Sequence, residues 1–169
     1  MNLEQLKYPI GKYQVPEKIT SNHINTWTEE IASLPNRMRS AVENLSTEQL
    51  DTNNRPEGWT IRQVVHHVPD SHMNAYIRFK LALTEDNPSI RHYFEDRWAE
   101  LTDSKILPIE PALLLLEGLH QKWTKLLQTL TSSELERTFF HPESQASSSI
   151  AFNIGNYAWH GNHHLAQIT

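Results

Sequence analysis

The stretch TIRQVVHHVPDSHMNAYIRFKLAL, residues 60–83, decides the fold. Ile61, Val64, Val65, Val68, Ala75, Tyr76 and Phe79 recur in steps of three and four, the spacing of one buried helix face. Thr60 stands where an N-cap hydroxyl opens such a helix. On a wheel advancing about 100° per residue, His72 falls within the apolar face and His66 on one flank. His67 lies about 120° round on the other flank, and Ser71, Asn74 and Arg78 continue it. Pro69 removes a backbone hydrogen bond inside the helix and can rotate His67 relative to Phe79. Helix phase alone therefore leaves His66, His67 and His72 open.

Working outward, three more segments carry a helical stripe. Ile24, Trp27, Ile31, Leu34, Met38, Ala41 and Leu45 mark a helix over about 19–45, with Pro35 expected to kink or break it. Pro111 suits the first turn of a third helix running through Leu113, Leu116, Leu119, Trp123 and Leu127 to Leu130. A fourth starts near Ser149 and carries Ile154, Tyr157, Ala158, Leu165 and Ile168. Four such helices predict an all-α, four-helix bundle spanning 1–169 as one domain. Residues 1–18, with Pro9, Gly11 and Pro16, read as an extended arm. The connection 86–108 is too long for a plain loop and is expected to hold a short helical insertion over 94–101. Residues 131–148 read as a short helix followed by a loop or small hairpin. Trp27, Trp123 and Trp159 are assigned to the core, and His141 to a loop.

The 169 residues are 38% apolar and 21% charged, a globular composition. A net charge of -5 and a pI near 6.0 lack the basic stripe that nucleic acid requires. No apolar run reaches membrane-spanning length, and the first residues do not read as a secretory signal. The absence of cysteine excludes disulfides and thiolate ligands and fits a cytoplasmic protein. Ten histidines are the unusual feature, six of them at positions 66, 67, 72, 160, 163 and 164. On the fourth helix His160 and His164, four apart, rise from one face and can grip one ion. They continue a polar stripe that begins at Asn153 and Tyr157, whereas His163 points away from the core, toward solvent or a partner. His72 reads as a buried histidine with a partner, and Arg78 as solvated or paired with Glu85 or Asp86.

The run Gly58-Trp59-Thr60-Ile61-Arg62-Gln63-Val64-Val65-His66-His67 resembles the DinB/YfiT-like superfamily, where a metal histidine follows the tryptophan by eight residues. The run Tyr157-Ala158-Trp159-His160-Gly161-Asn162-His163-His164 is similar to that family's His-x-x-His-His element, whose first and last histidines are ligands. The resemblance covers nearly the whole chain, including Tyr8 to Tyr13, Asp70 to Lys80 and Phe139 to Pro142. It implies the metal ligands His67, His160 and His164. Pro69 and Asn162 depart from the pattern without touching that triad. The final helix stops soon after His164, where relatives continue, and is expected to fray.

Three neutral imidazoles leave open coordination positions on one divalent ion per chain, Zn2+ or Ni2+. The first expectation is a hydrolase in which metal-bound water attacks a small-molecule substrate. The resemblance implies as an alternative the transfer of a low-molecular-weight thiol, bacillithiol, to electrophiles; a further alternative is a bundle that only binds or senses metal. Asn74, Arg78 and Tyr157 flank the histidines as candidate catalytic or substrate-contacting residues. The resemblance also implies a homodimer.

Overall fold

An amphipathic helix can bury its apolar face only against another element, and four of them close on one another. The computed structural model describes residues 3–169. In chain order it holds α1 (Leu3–Lys7), α2 (Ser21–Val42), α3 (Thr47–Leu50), α4 (Ile61–Thr84), α5 (Glu95–Ala99), α6 (Thr102–Ile106) and α7 (Glu110–Leu127). After these come α8 (Ser132–Leu135), the strands β1 (Thr138–His141) and β2 (Ala146–Ser149), and α9 (Ile150–Ala166). Thr20, Thr60 and Ser149 open the long helices α2, α4 and α9, their side-chain oxygens accepting a backbone N–H from the first turn. At α4 the cap is reciprocal. The Thr60 hydroxyl takes the Gln63 N–H at 3.2 Å, and Gln63 Oε1 takes the Thr60 N–H at 3.0 Å.

The bundle consists of α2, α4, α7 and α9. Both α2 and α4 pack against α7 and α9, so the successive helices α2 and α4 stand across the bundle from each other. Ile31, Phe79, Trp123, Ile150 and Ile154 fill one half of the core, and Phe79 meets Trp123 edge-on at 5.2 Å. Leu34, Met38, Val65, Val68 and Leu116 fill the other. The pairing of α4 with α9 brings their two polar stripes face to face. That adjacency makes the site.

Several expectations need correction. Pro35 does not break α2, which runs on through it, whereas α4 contains Pro69 as expected. The arm includes the helical turn α1 and lies along α9. Tyr13 packs against Trp27, Phe152 and Trp159, and the Trp159 indole donates to the Gly11 carbonyl at 3.0 Å. A Cβ on Gly155 would come within 2.2 Å of the Tyr13 hydroxyl, so the arm seats itself where α9 carries no side chain. Trp27 and Trp159 are thus half-buried under the arm, and only Trp123 is full core. The insertion holds two short helices, α5 and α6, rather than one. Strands β1 and β2 form an antiparallel hairpin, and the preceding loop joins it through Ile90 N–H to Phe140 O at 3.0 Å and Phe140 N–H to Pro88 O at 2.9 Å. Those two bonds carry His92 to the hairpin tip. No helix among the described residues is long and apolar enough to cross a membrane.

Candidate metal centre

The facing stripes of α4 and α9 bring His67, His160 and His164 together. Nε2 of His160 lies 3.4 Å from Nε2 of His67 and 3.2 Å from Nε2 of His164. One nitrogen from each of the three rings falls within 4.8 Å of the others. Four-coordinate zinc, with metal–nitrogen bonds of about 2.0–2.1 Å, separates its ligands by about 3.3–3.4 Å. The spacing of these rings suits such an ion. Burial disfavours their protonated forms, pushing His67 down to about 4 and His160 and His164 well below the ordinary imidazole value. At neutral pH all three rings are uncharged, the form in which imidazole can ligate a metal.

Hydrogen bonds behind the rings decide which nitrogen carries the proton. His164 Nδ1–H donates to Gln167 Oε1 at 3.0 Å. The same amide donates from Nε2 to the Lys7 carbonyl at 3.2 Å and to His163 Nε2 at 3.1 Å, which fixes its orientation. His160 can offer Nε2 to an ion only if its proton sits on Nδ1, which lies 3.0 Å from His72 Nε2. His72 must then accept there and donate from Nδ1 to His120 Nε2, 2.9 Å away. His120 in turn donates from Nδ1 to the Ile31 carbonyl at 2.6 Å. That carbonyl is available because its helical partner would be residue 35, a proline with no N–H. His72 and His120 are 0% and 1% exposed. Three neutral imidazoles therefore run in one direction from a proline-freed carbonyl to the candidate ligand. Such supports fix the tautomer and orientation of metal-bound histidine.

The triad opens on a cavity of about 660 Å³. Trp59 packs on His67 at 4.7 Å on one side, and Arg78, His92, Tyr93, His141 and Glu143 line the wall. Of the other expected residues, Arg78 reaches the cavity but is neither solvated nor paired with Glu85 or Asp86. It is buried, with Nη1 3.5 Å from the Tyr157 hydroxyl and Nη2 donating to the Arg91 carbonyl at 3.2 Å. Tyr157 stands behind the lining, its ring 5.8 Å from that of His160. Asn74 does not line the cavity and spends its amide on the Asp70 carbonyl at 2.9 Å. His66 faces the Leu107 carbonyl at 3.4 Å, away from the triad. His163 does not point to solvent: the arm covers it, and it stacks on Trp159 at 4.8 Å. His120 and Gln167 carried no role in the sequence reading. The signal for His120 was a polar residue in phase with Leu113, Leu116, Trp123 and Leu127.

The chain is similar to known proteins over nearly its whole length. Residues 30–168 match the model of the DinB superfamily. A protein of Bacillus cereus (strain ATCC 10987 / NRS 248) described as "Putative metal-dependent hydrolase" is 54% identical over 167 residues, covering 99% of this chain and 95% of its own. A relative in Bacillus thuringiensis subsp. konkukian, similarly described, shows the same identity and coverage. The solved structure of YfiT from Bacillus subtilis superposes with a TM-score of 0.95 at 46% identity, over 97% of this chain and 94% of that one. It is described as "a probable metal-dependent hydrolase with an unusual four-helix bundle topology".

Proposed function

The chain belongs to the DinB superfamily, and on that premise we propose a metal-dependent hydrolase of small molecules whose single divalent ion is held by His67, His160 and His164. The observation that carries this reading is the convergence of three neutral imidazole nitrogens, 3.2 and 3.4 Å apart, on the wall of an open cavity. A structural metal site is closed by protein ligands, whereas three histidines beside open space leave room for substrate. That contrast favours catalysis over a bundle that only stores or senses metal.

A bound divalent ion supplies a Lewis acid and lowers the pKa of water toward neutrality. The protein's own residues do the rest. The His120–His72 chain and Gln167 keep His160 and His164 presenting Nε2 to the cavity. Trp59 shields one face of His67 from solvent. Arg78 presents a fixed positive charge on the cavity wall, steadied by the Tyr157 hydroxyl and the Arg91 carbonyl.

The test is hydrolysis of a panel of small esters and amides, beginning with p-nitrophenyl acetate, by metal-loaded and chelator-treated protein. The reading expects turnover that needs the metal and disappears in His164→Ala. Equal rates with and without metal contradict it. Metal-dependent conjugation of bacillithiol to monochlorobimane, with no ester or amide cleavage, replaces hydrolysis by thiol transfer.

A further inference from the structure

The cavity on which the triad opens also holds a positive charge that the proposed hydrolysis leaves without a counter-ion. The Arg78 side chain is 9% exposed and lines the cavity. No carboxylate lies within 4 Å of its guanidinium among the described residues. Its acceptors are the Tyr157 hydroxyl and one carbonyl, both neutral, and the hydroxyl contact is long at 3.5 Å. A guanidinium has five N–H donors, so most of them have no partner among the described residues. A buried charge without an opposite one is costly and is relieved when an anion arrives.

The acids around this cavity do not fill that role. Glu143 is exposed and accepts from His92 Nδ1 at 3.1 Å. Glu57, Glu95 and Asp96 are also exposed and stay hydrated at the rim. The same wall does contain a second donor cluster, His92, His141 and Glu143, spaced closely enough for a cation. The neighbouring guanidinium argues against one. Burial first, and then that guanidinium, disfavour a proton on His141, and a divalent ion would meet the same charge repulsion more strongly. His141 Nδ1 is buried without a partner, leaving a second unused polar group on this wall.

We propose that this wall is an anion subsite, in which Arg78 binds a carboxylate or phosphate group of the substrate while the bond to be cleaved lies toward the histidine triad. Arginine's planar fork suits both oxyanions, since either can accept two parallel N–H bonds. The substrate class is thus a small molecule carrying an anionic group apart from its reacting centre. This rests on reading the cavity as the reaction site, and the test separates the two.

Acetate, acetamide and inorganic phosphate are titrated into metal-free protein by calorimetry, using wild type, Arg78→Gln and Arg78→Lys. The metal-free protein removes binding to the ion itself. The expected result is that acetate or phosphate binds wild type, that acetamide binds at least about tenfold more weakly, and that Arg78→Gln weakens the anion by about the same factor. Arg78→Lys is expected to recover part of the loss. A preference for phosphate over acetate identifies a phosphorylated substrate, and the reverse a carboxylate. Anion binding that survives Arg78→Gln unchanged, or that occurs only in metal-loaded protein whatever residue 78 is, overturns the subsite and leaves the metal reading intact. If Arg78→Gln does not fold, the wild-type comparison decides alone: equal binding of acetate and acetamide overturns the proposal.

Discussion

His120 occupies the hydrogen-bonding place that Pro35 leaves empty. The proline has no N–H for the Ile31 carbonyl, and the His120 imidazole donates to that carbonyl at 2.6 Å from a different helix. A residue that costs α2 one backbone bond thereby orients a chain of rings ending at His160.

The first prediction tests that chain. In His120→Phe, His72 loses the acceptor for its Nδ1–H and can turn its proton toward His160, forcing the proton of His160 onto the nitrogen meant for the ion. Metal affinity is expected to fall by about 10–100-fold, measured by competition with a chromophoric chelator. His120→Gln can accept from His72 and donate to Ile31, and is expected to keep most of the affinity. Equal losses in both variants would reduce His120 to a packing role.

Gln167 supports the neighbouring ligand and also holds the arm. Gln167→Ala removes the acceptor for His164 Nδ1–H and the donor to the Lys7 carbonyl. Metal affinity is expected to drop by about tenfold or more. Trypsin should also cut faster at Lys7 and Lys12. If affinity falls with no change in cleavage, the link between arm and site is broken.

Acid acts on the metal-free protein through the buried rings. Unfolded histidine takes up a proton near pH 6.5, whereas burial holds His67 and His120 near 4 in the folded chain. Between those values the unfolded state binds more protons, so stability is present above 6.5 and declines as pH falls toward 4. The loss reaches up to about 2–3 kcal/mol per ring by pH 4.5. Asp70, raised to about 6 by burial and by Asp103, opposes the trend as a single group. Thermal melts from pH 7 to 4.5 should fall continuously, and bound metal should be released as pH approaches 4. A melting temperature that stays flat across this range contradicts the buried neutral rings.

The cap that starts α4 also sets where His67 begins. Thr60→Ala leaves the Gln63 N–H without its acceptor and should cost about 0.5–2 kcal/mol in denaturant unfolding. His67 lies two turns further along, so metal content should hold. Loss of metal without loss of stability would show that the cap acts on the site directly.

Much of this was legible in the chain, for reasons that differ by residue. Steps of three and four exposed all four long helices, because burying one face imposes that period on the sequence. The i,i+4 spacing paired His160 with His164, but Pro69 left the phase of α4 ambiguous, and only the resemblance selected His67. His120 looked like a stray polar residue in a leucine-rich stripe, since its partners lie on α2 and α4. Gln167 lies only three residues from His164, but the Lys7 bond that orients its amide spans 160 positions and the His120 bond to Ile31 spans 89, which no local pattern encodes. Arg78 was misplaced for a related reason. Its flank position reads as solvated until the 86–93 loop and the hairpin close over it.

The most direct measurement is metal content after exposure to excess zinc or nickel and removal of free ion. Wild type should hold one ion per chain, and His67→Ala, His160→Ala and His164→Ala almost none when each variant melts cooperatively. One full equivalent retained by any of these folded variants would contradict the three-histidine site.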